Sequence, residues 1–396
     1  MRILYVCSVD LSGQAGSLGS VNHVMEVAGN LARLGHEVVL VAPGYARYVS
    51  KPPVPVVYVP APRMRFLRTI LHEALTPLIM IWLLLRFQPD AVYWRQAYLT
   101  IFPVLLARLW KKPVVTEVNG LTLDEVESEP LSALRKKTIL AFEAFNYRLS
   151  TRLICVAPRI RERIVTHYRL PPEKALVILN GVNADRMPVK DQAEARAGAG
   201  LPADGPLVGF VGHFFPWDGI ETLIEAAPAV REKFPDVRFV IVGHGRWGEH
   251  LPALAREKGV SESFIFTGKV EWARLYLYLN ALDVAVAPYS AGVNEQSGRS
   301  SLKILEYFAC RKPVVSSFTD AIPEVLTIRE KGLGLTVRPE DPEGLAAALI
   351  RLLGDPDMRE TMGRGGREYV VSERSWKGVA EKTAAILSEL SGRGRG

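Results

Sequence analysis

An α/β architecture of two doubly wound, largely parallel sheets is the fold class this 396-residue chain predicts. Three observations carry it: short β-branched runs alternate with helical periodicity throughout, the runs read as buried on both faces, and the alternation breaks once and restarts. In the first half, strands are predicted at Ile3–Ser8, Glu37–Ala42, Val56–Val59, Ala91–Trp94, Val114–Val118, Leu153–Val156 and Ala175–Leu179. Helical spacing fills the gaps at Val21–Leu34, Leu67–Arg86, Leu99–Leu109, Leu131–Leu149 and Arg159–Tyr168. Met187 to Pro206, rich in Ala, Gly, Pro and charge, has no sustained apolar pattern and reads as a linker. Strands then resume at Leu207–Val211, Arg238–Val242, Phe264–Thr267, Val284–Ala287, Pro313–Ser316 and Gly334–Val337. Two halves of similar size predict two facing Rossmann-like domains, with ligands in a cleft at the strand C-terminal ends. Trp376 to Leu390 predicts a final helix with no strand after it, able to cap either domain.

Composition narrows the class. Apolar residues make up 48% and charged residues 23%, as in a soluble globular protein. The net charge of +7 is mild but uneven: residues 1–110 hold ten Arg or Lys against five acids. That bias suggests an anionic partner, a phosphate or a lipid surface. Nucleic acid fits poorly, since no basic run is interleaved with aromatics. Cys7, Cys155 and Cys310 are far apart and sit in apolar patterns, which argues for reduced, buried thiols and a cytosolic setting. Met1–Arg2–Ile3–Leu4–Tyr5–Val6 runs straight into a strand, without a signal-peptide layout.

The apolar stretch Phe66 to Phe87 puts the soluble reading to the test. Arg68, His72, Glu73 and Pro77 interrupt it, and the clean run Ala74–Leu85 is well short of the ~20 residues a membrane span needs. Two readings stay open. Arg63, Arg65, Arg68 and Arg86 suit a helix lying on an anionic bilayer, and they equally suit the solvated ends of a core helix.

The richest segment is Leu302–Lys303–Ile304–Leu305–Glu306–Tyr307–Phe308–Ala309–Cys310, ahead of Lys312–Pro313–Val314–Val315. It predicts an amphipathic helix with Lys303 and Glu306 one turn apart, after a loop containing Gly292 and Gly298. An anion-accepting helix start, a cation and a hydroxyl acceptor on one face suit a nucleotide sugar. The bland alternative is a surface ion pair at i, i+3. Gly13–Gln14–Ala15–Gly16–Ser17–Leu18–Gly19 departs from GxGxxG, and Val41–Ala42–Pro43 offers no acid for a ribose, which speaks against a dinucleotide. Asn180–Gly181–Val182–Asn183 reads as a tight turn, and Asp218 as an N-cap for the helix it precedes. Gly212–His213, Gly243–His244–Gly245 and Gly268–Lys269–Val270 end three successive strands of the second sheet. One such end is only a turn. Several at one sheet edge, with the Lys303/Glu306 helix, make a nucleotide pocket.

In these motifs the chain resembles the retaining glycosyltransferases of family 4, which have the GT-B fold. The resemblance runs through Gly16–Gly19, Asn180–Asn183, Gly212–Ala226, Gly243–Gly245, Gly268–Val270 and Ser301–Val315. It implies an acceptor-binding domain over residues 1–187, completed by a crossing helix at about 374–396, and a nucleotide-sugar domain over 188–373. It also implies departures. Where the family commonly has Gly-Arg and then Lys-Gly, this chain has His213 and Asp218. Its E-x7-E ends at Glu306 but begins at Gly298, with Glu295 three residues upstream. Asn119, in Glu117–Val118–Asn119–Gly120, stands in place of a histidine near the reacting sugar. The subgroup with a Trp-x-Gly turn and a Ser-Pro-Leu-Lys-x-x-Glu-Tyr helix is the nearest, with Ser301 in place of its proline.

The implied reaction moves a sugar from a nucleotide diphosphate to an acceptor hydroxyl with retention, in polysaccharide, lipopolysaccharide or glycolipid synthesis. Lys303, Arg299 and Asn119 are the expected catalytic residues. Gly16, Gly19, Gly212, His213, Gly243, Lys269, Val270, Glu295, Gly298, Ser301, Leu302 and Glu306 are expected to bind the donor. No Asp-x-Asp is present, so no metal or other cofactor is implied beyond the donor itself. The expected partners are a nucleotide sugar, a glycan or lipid-linked acceptor and an anionic membrane surface through 63–87, at the cytoplasmic face. A nucleotide-sugar epimerase of the same fold and a catalytically silent partner subunit are the rival readings.

Overall fold

A computed structural model describes residues 1–12, 18–45, 47–48, 51–60, 65–97, 100–123 and 131–392, with the side chains of 18, 65–70, 293 and 297 excepted. Among these residues the chain forms thirteen strands: β1 Arg2–Val6, β2 Glu37–Pro43, β3 Val56–Val59, β4 Ala91–Arg95, β5 Val114–Val118, β6 Arg152–Cys155, β7 Ala175–Val177, β8 Leu207–His213, β9 Arg238–His244, β10 Phe264–Gly268, β11 Val284–Ala287, β12 Val314–Ser317 and β13 Gly334–Val337. They make two sheets, ordered β3-β2-β1-β4-β5-β6-β7 and β10-β9-β8-β11-β12-β13, and every pairing within them is parallel. Both are open α/β sheets, as the alternation predicts.

The strands are apolar because both of their faces are covered. In the second sheet Val208, Phe210, Phe239, Ile241, Val284 and Val286 enter one core, while Val211, Val240, Val242, Ala285 and Ala287 enter the other. In the first, Leu4, Val6, Val41, Val92 and Trp94 share a core with Met80, Leu83 and Leu84 of the helix Arg65–Arg86. The chain divides into two compact units. One holds Met1–Asn180, Ser297–Arg299 and Trp376–Gly396, and the other holds Gly181–Gln296 and Ser300–Ser375.

Four expectations need correction. The stretch 187–206 is not a plain linker: Gln192–Ala199 is a helix, capped by Asp191 and ended by Gly200 in the left-handed region. Its Arg196 is buried and paired with Asp283 at 2.9 Å, a partner that lies 87 residues away. β8 and β9 run two residues further than expected, because Gly212↔Gly243 and His213↔His244 continue the pairing. Asn180–Gly181–Val182–Asn183 is more than a turn, since Val182 bridges to Ser375 and donates its N–H to the Arg374 carbonyl at 2.7 Å. Asp218 is not an N-cap. Gly219, left-handed at φ +63°, separates it from the helix Ile220–Lys233.

The helix Arg65–Arg86 is not wholly buried either. Leu71, Leu78, Trp82 and Leu85 recur on one exposed face, with Leu78 and Leu85 near 60% exposed (61% and 59%). No helix among the described residues is long and apolar enough to cross a membrane. The three cysteines are unpaired and buried, and burial pushes each thiol up to about 12.

Candidate functional site

The second sheet reverses its order between β8 and β11, where a crevice is expected in an open parallel sheet. Loops from the two strands are laced together there. Asn294 donates from Nδ2 to the carbonyls of Trp217 (2.8 Å) and Ser290 (2.7 Å), and Ser290 N–H reaches Trp217 O at 3.2 Å. Gly219 is required at this contact, since a Cβ would fall 2.0 Å from the Pro288 carbonyl oxygen. Gly243 is required beside it: a Cβ would meet Gly212 O at 1.8 Å.

Lys303, on the helix Leu302–Ala309, arrives at this point. Its Nζ lies 4.1 Å from the Phe210 ring centre and 5.4 Å from that of Tyr289, two aromatic faces that favour a cation. A Cβ on Gly212 would lie 3.3 Å from the same nitrogen, so the bare glycine backbone sits against the charge. The charge is already answered. Asp218 Oδ1 accepts from Lys303 Nζ at 2.5 Å, and Asp218 Oδ2 accepts from Phe215 N–H at 3.1 Å. The sequence position where the family has a cation therefore holds the counter-ion of another cation. His213 stands by in a ring cluster, 5.1 Å from His244 and 4.7 Å from Phe215. Burial pulls its pKa below the ordinary range, His244 adds to that, and Asp218 opposes both.

Glu306, one turn after Lys303, is half-buried. Desolvation pushes its carboxyl up to about 7, against a Trp272 hydrogen bond and the Lys303 charge, which both pull down. Trp272 belongs to the turn that follows Val270, so the Val270 segment is brought to the Glu306 helix. The start of that helix differs from expectation. The Ser301 N–H, expected to face a diphosphate, is donated to Glu324 Oε2 at 2.7 Å, and its hydroxyl lies 2.5 Å from that of Tyr289. Glu324 also accepts from Ser300 Oγ at 2.8 Å and from Arg374. A fully buried ion pair thus braces the loop before Lys303, and one anion-facing amide is lost to it.

The remaining expected residues differ in exposure. Lys269 and Glu295 are exposed, Leu302 and Arg299 are half-buried, and Gly298 is buried and left-handed at φ +65°. Arg299 belongs to the short piece Ser297–Arg299 that groups with the first unit. Gly19 lies in the first turn of the helix Leu18–Arg33, and Gly16 falls outside the described residues. The sequence marks Asp218 as a departure from the family but not as the partner of Lys303, and it does not mark Trp272 or Glu324 at all, because each acts through a partner distant in sequence.

Asn119 belongs to the first unit, just beyond β5. Its Nδ2 donates to Glu117 Oε1 at 2.5 Å. Glu117 is buried and accepts from Arg95 Nη1 at 2.5 Å and from the Tyr93 hydroxyl, and His23 Nε2 lies 2.9 Å from Glu117 Oε2. Burial alone would raise its pKa, but His23 and Arg95, with the hydrogen bonds, outweigh that and hold the carboxyl well below the usual range. His23 in turn packs edge-on against Trp376, ring centres 4.9 Å apart, and desolvation lowers its pKa.

Comparison with known proteins adds to this geometry. The family described as glycosyl transferases group 1 matches residues 205–355, and that described as Glycosyltransferase Family 4 matches residues 18–186. An uncharacterised glycosyltransferase of Methanocaldococcus jannaschii is 29% identical over 264 residues, 65% of each protein. The GDP-mannose-dependent monoacylated alpha-(1-6)-phosphatidylinositol monomannoside mannosyltransferase of Corynebacterium glutamicum is 32% identical over 199 residues, 50% of this chain and 51% of that protein. The chain thus spans less than two thirds of the length of both relatives. In fold it is similar to sucrose-phosphate synthase from Thermosynechococcus elongatus, with a TM-score of 0.79 at 20% identity over 98% of this chain and 99% of the other.

Proposed function

The chain belongs to the glycosyltransferases of the family 4 type, with the GT-B fold, and from that premise we propose that it moves a sugar from a nucleotide diphosphate to an acceptor hydroxyl with retention of configuration. The observation that carries this is Lys303 with Glu306 one turn on, at the reversal point of the second sheet. Charge separates in such a reaction: the sugar becomes cationic while the diphosphate leaves as an anion. Lys303, held against the Gly212 backbone, stabilises the leaving group, with Arg299 assisting. Glu306 takes the ribose hydroxyls, and Gly19, Gly243, Lys269, Val270, Glu295 and Gly298 belong to the donor's surroundings. Attack from the front side, aided by the leaving phosphate, needs no strong base, and no step requires a metal. One relative is GDP-mannose-dependent, so GDP-mannose is the first donor to test.

Turnover should collapse without the lysine. Lys303→Ala is expected to lower kcat by about 10²–10³, as losing one preorganised charge donor does. If KM alone rises, Lys303 is a binding contact and the leaving-group argument fails.

The acceptor is a glycan or a lipid-linked hydroxyl, in polysaccharide or glycolipid synthesis, met at an anionic membrane surface. The exposed row Leu71, Leu78, Trp82 and Leu85, followed by Arg86, supports that reading, because such a helix lies in an interface rather than crossing it. Arg63 lies outside the described residues, as do the side chains of Arg65 and Arg68. Sedimentation with anionic vesicles should carry the protein down at low salt, and Trp82→Ser should release it. Protein left in the supernatant at low salt would point to a water-soluble acceptor. A silent partner subunit is the second reading, favoured by Asp218 already occupying Lys303. Calorimetry separates the two, since a silent scaffold gives no heat with any nucleoside diphosphate.

A further inference from the structure

The first unit carries a second arrangement that bears on the same reaction, and the inference rests on the transferase reading. Glu117 is 1% exposed, and among the described residues the groups hydrogen-bonded to its carboxyl are all donors: Arg95, Tyr93 and the Asn119 amide, with His23 Nε2 2.9 Å away. An ionised carboxylate has lone pairs and no proton to give. Asn119 must therefore turn its NH2 inward, toward Glu117 Oε1 at 2.5 Å. The opposite rotamer would set Asn119 Oδ1 against a buried carboxylate oxygen, acceptor on acceptor. An unconstrained asparagine would offer either edge to a ligand, but this one has been assigned its polarity. The segment beyond it is pinned as well, since Gln96 Nε2 donates to Thr122 Oγ1 at 2.9 Å.

We infer that Glu117 is a positioning residue that fixes Asn119 with its oxygen outward, so that this position offers the substrates an acceptor and no donor. The negative end of an amide dipole suits a sugar hydroxyl, which would donate to Oδ1, or the cationic sugar carbon of the transition state. It does not suit the departing diphosphate. Asn119 therefore offers a polarity opposite to that of Lys303.

A four-member cycle tests this in the full-length protein. Glu117→Gln lets either amide edge of Asn119 turn outward. Asn119→Asp sets two carboxylates together. The double variant rebuilds the contact with its sense reversed: the amide now at position 117 donates to the carboxylate now at position 119, whose other oxygen again faces outward as an acceptor. Each single change is expected to lower kcat by about ten- to a hundredfold, with KM for the nucleotide sugar within about threefold. The double variant is expected to regain at least about tenfold over Asn119→Asp. A double variant no better than the multiplied single losses, or a Glu117→Gln enzyme with unchanged kcat, overturns the inference. Nucleoside diphosphate affinity, read by calorimetry, shows whether each variant is folded. Should Glu117→Gln not fold, or should the wild-type chain turn over no nucleotide sugar, the side-chain amide of Asn119 is read directly by nitrogen-15 NMR. Slow NH2 exchange with water supports the inward orientation, and exchange at the free-amide rate overturns it. Missing wild-type turnover counts against the transferase reading, whereas a fast-exchanging amide counts against this inference alone.

Discussion

Glu117, near the end of β5 in the first unit, and Asp218, in the turn after β8 in the second, are both buried carboxylates, 1% and 3% exposed, yet they are held in different ways. Among the described residues Glu117 has three donors for its two oxygens, one of them the Arg95 cation, and a neighbouring histidine ring, His23, at 2.9 Å. Asp218 has one cation, Lys303, and one backbone N–H. Losing any one partner of Glu117 leaves the others in place, whereas losing Lys303 leaves Asp218 without a counter-charge. The oversupplied carboxylate is scaffold, and it sets the geometry of its neighbours. The singly paired one can exchange its partner, and under the proposed function it is the one that a diphosphate would displace.

The largest test of that contrast is Glu117→Ala. It leaves Arg95 buried without a counter-charge and should lower unfolding stability by about 3–5 kcal/mol in urea titration. A loss under about 1 kcal/mol would place Glu117 and Asp218 in the same class.

A third carboxyl sharpens the comparison, because Glu306 is pushed up to about 7 where Glu117 is pulled down. Below the unfolded value of 4.5, Glu306 is protonated in both states and costs nothing. As pH rises from there to about 7, the unfolded chain ionises first and the folded state loses stability, with the penalty complete above that range. Glu306→Gln cannot ionise. Without ligand it should be more stable than the parent at pH 8, by on the order of 2 kcal/mol, and equal to it near pH 4.5. Thermal melts across that range decide the point, and a constant offset would mean that the carboxyl ionises normally. The same titration predicts tighter nucleoside diphosphate binding at pH 8 than at pH 6, since the ionised form is the better acceptor for a diol.

The smallest effect is expected at Asp218. Asp218→Asn keeps the Phe215 contact and removes the charge that competes with a diphosphate for Lys303. Nucleoside diphosphate affinity should rise about tenfold, or ~1.4 kcal/mol. Weaker binding would mean that Asp218 holds Lys303 in place for the ligand and does not compete with it.

Much of the fold was legible because the physics that fixes it is local. Val114–Val118 alternates nothing and is buried on every side, as a central parallel strand must be. Gly212, Gly243 and Gly268 end strands where backbone approaches backbone or turns left-handed, and their spacing along the chain shows it. Lys303 and Glu306 could be paired by helical spacing alone. The rest depended on partners that no window of sequence contains. Lys303 meets Asp218 across 85 residues, Glu324 meets Arg374 across 50, and Glu117 meets Arg95 across 22. In sequence, Asp218 therefore reads as a cap, and Glu117 as a neighbour of Asn119 without a role. The helix Gln192–Ala199 is hidden by its composition: its apolar face is mostly alanine, and Asp191 and the Arg196–Asp283 pair supply what a larger apolar stripe would otherwise give.

The helix Trp376–Leu390 has a consequence for how this chain comes into being. The first unit is interrupted after Asn180 and resumes at Trp376, so the whole of residues 181–296 and 300–375 is an insertion into it. Outgoing and returning segments lie side by side, where Val182 pairs with Ser375. A nascent chain that has completed β7 still lacks the indole that covers His23, and it waits for nearly two hundred further residues before that indole is made. Through that interval the apolar face of Leu18–Arg33 has no partner helix, and the second unit can fold first. A gene fragment ending at residue 180 would therefore encode an open, sticky sheet, and a circular permutant joining residue 390 to residue 1 would let the first unit close without delay.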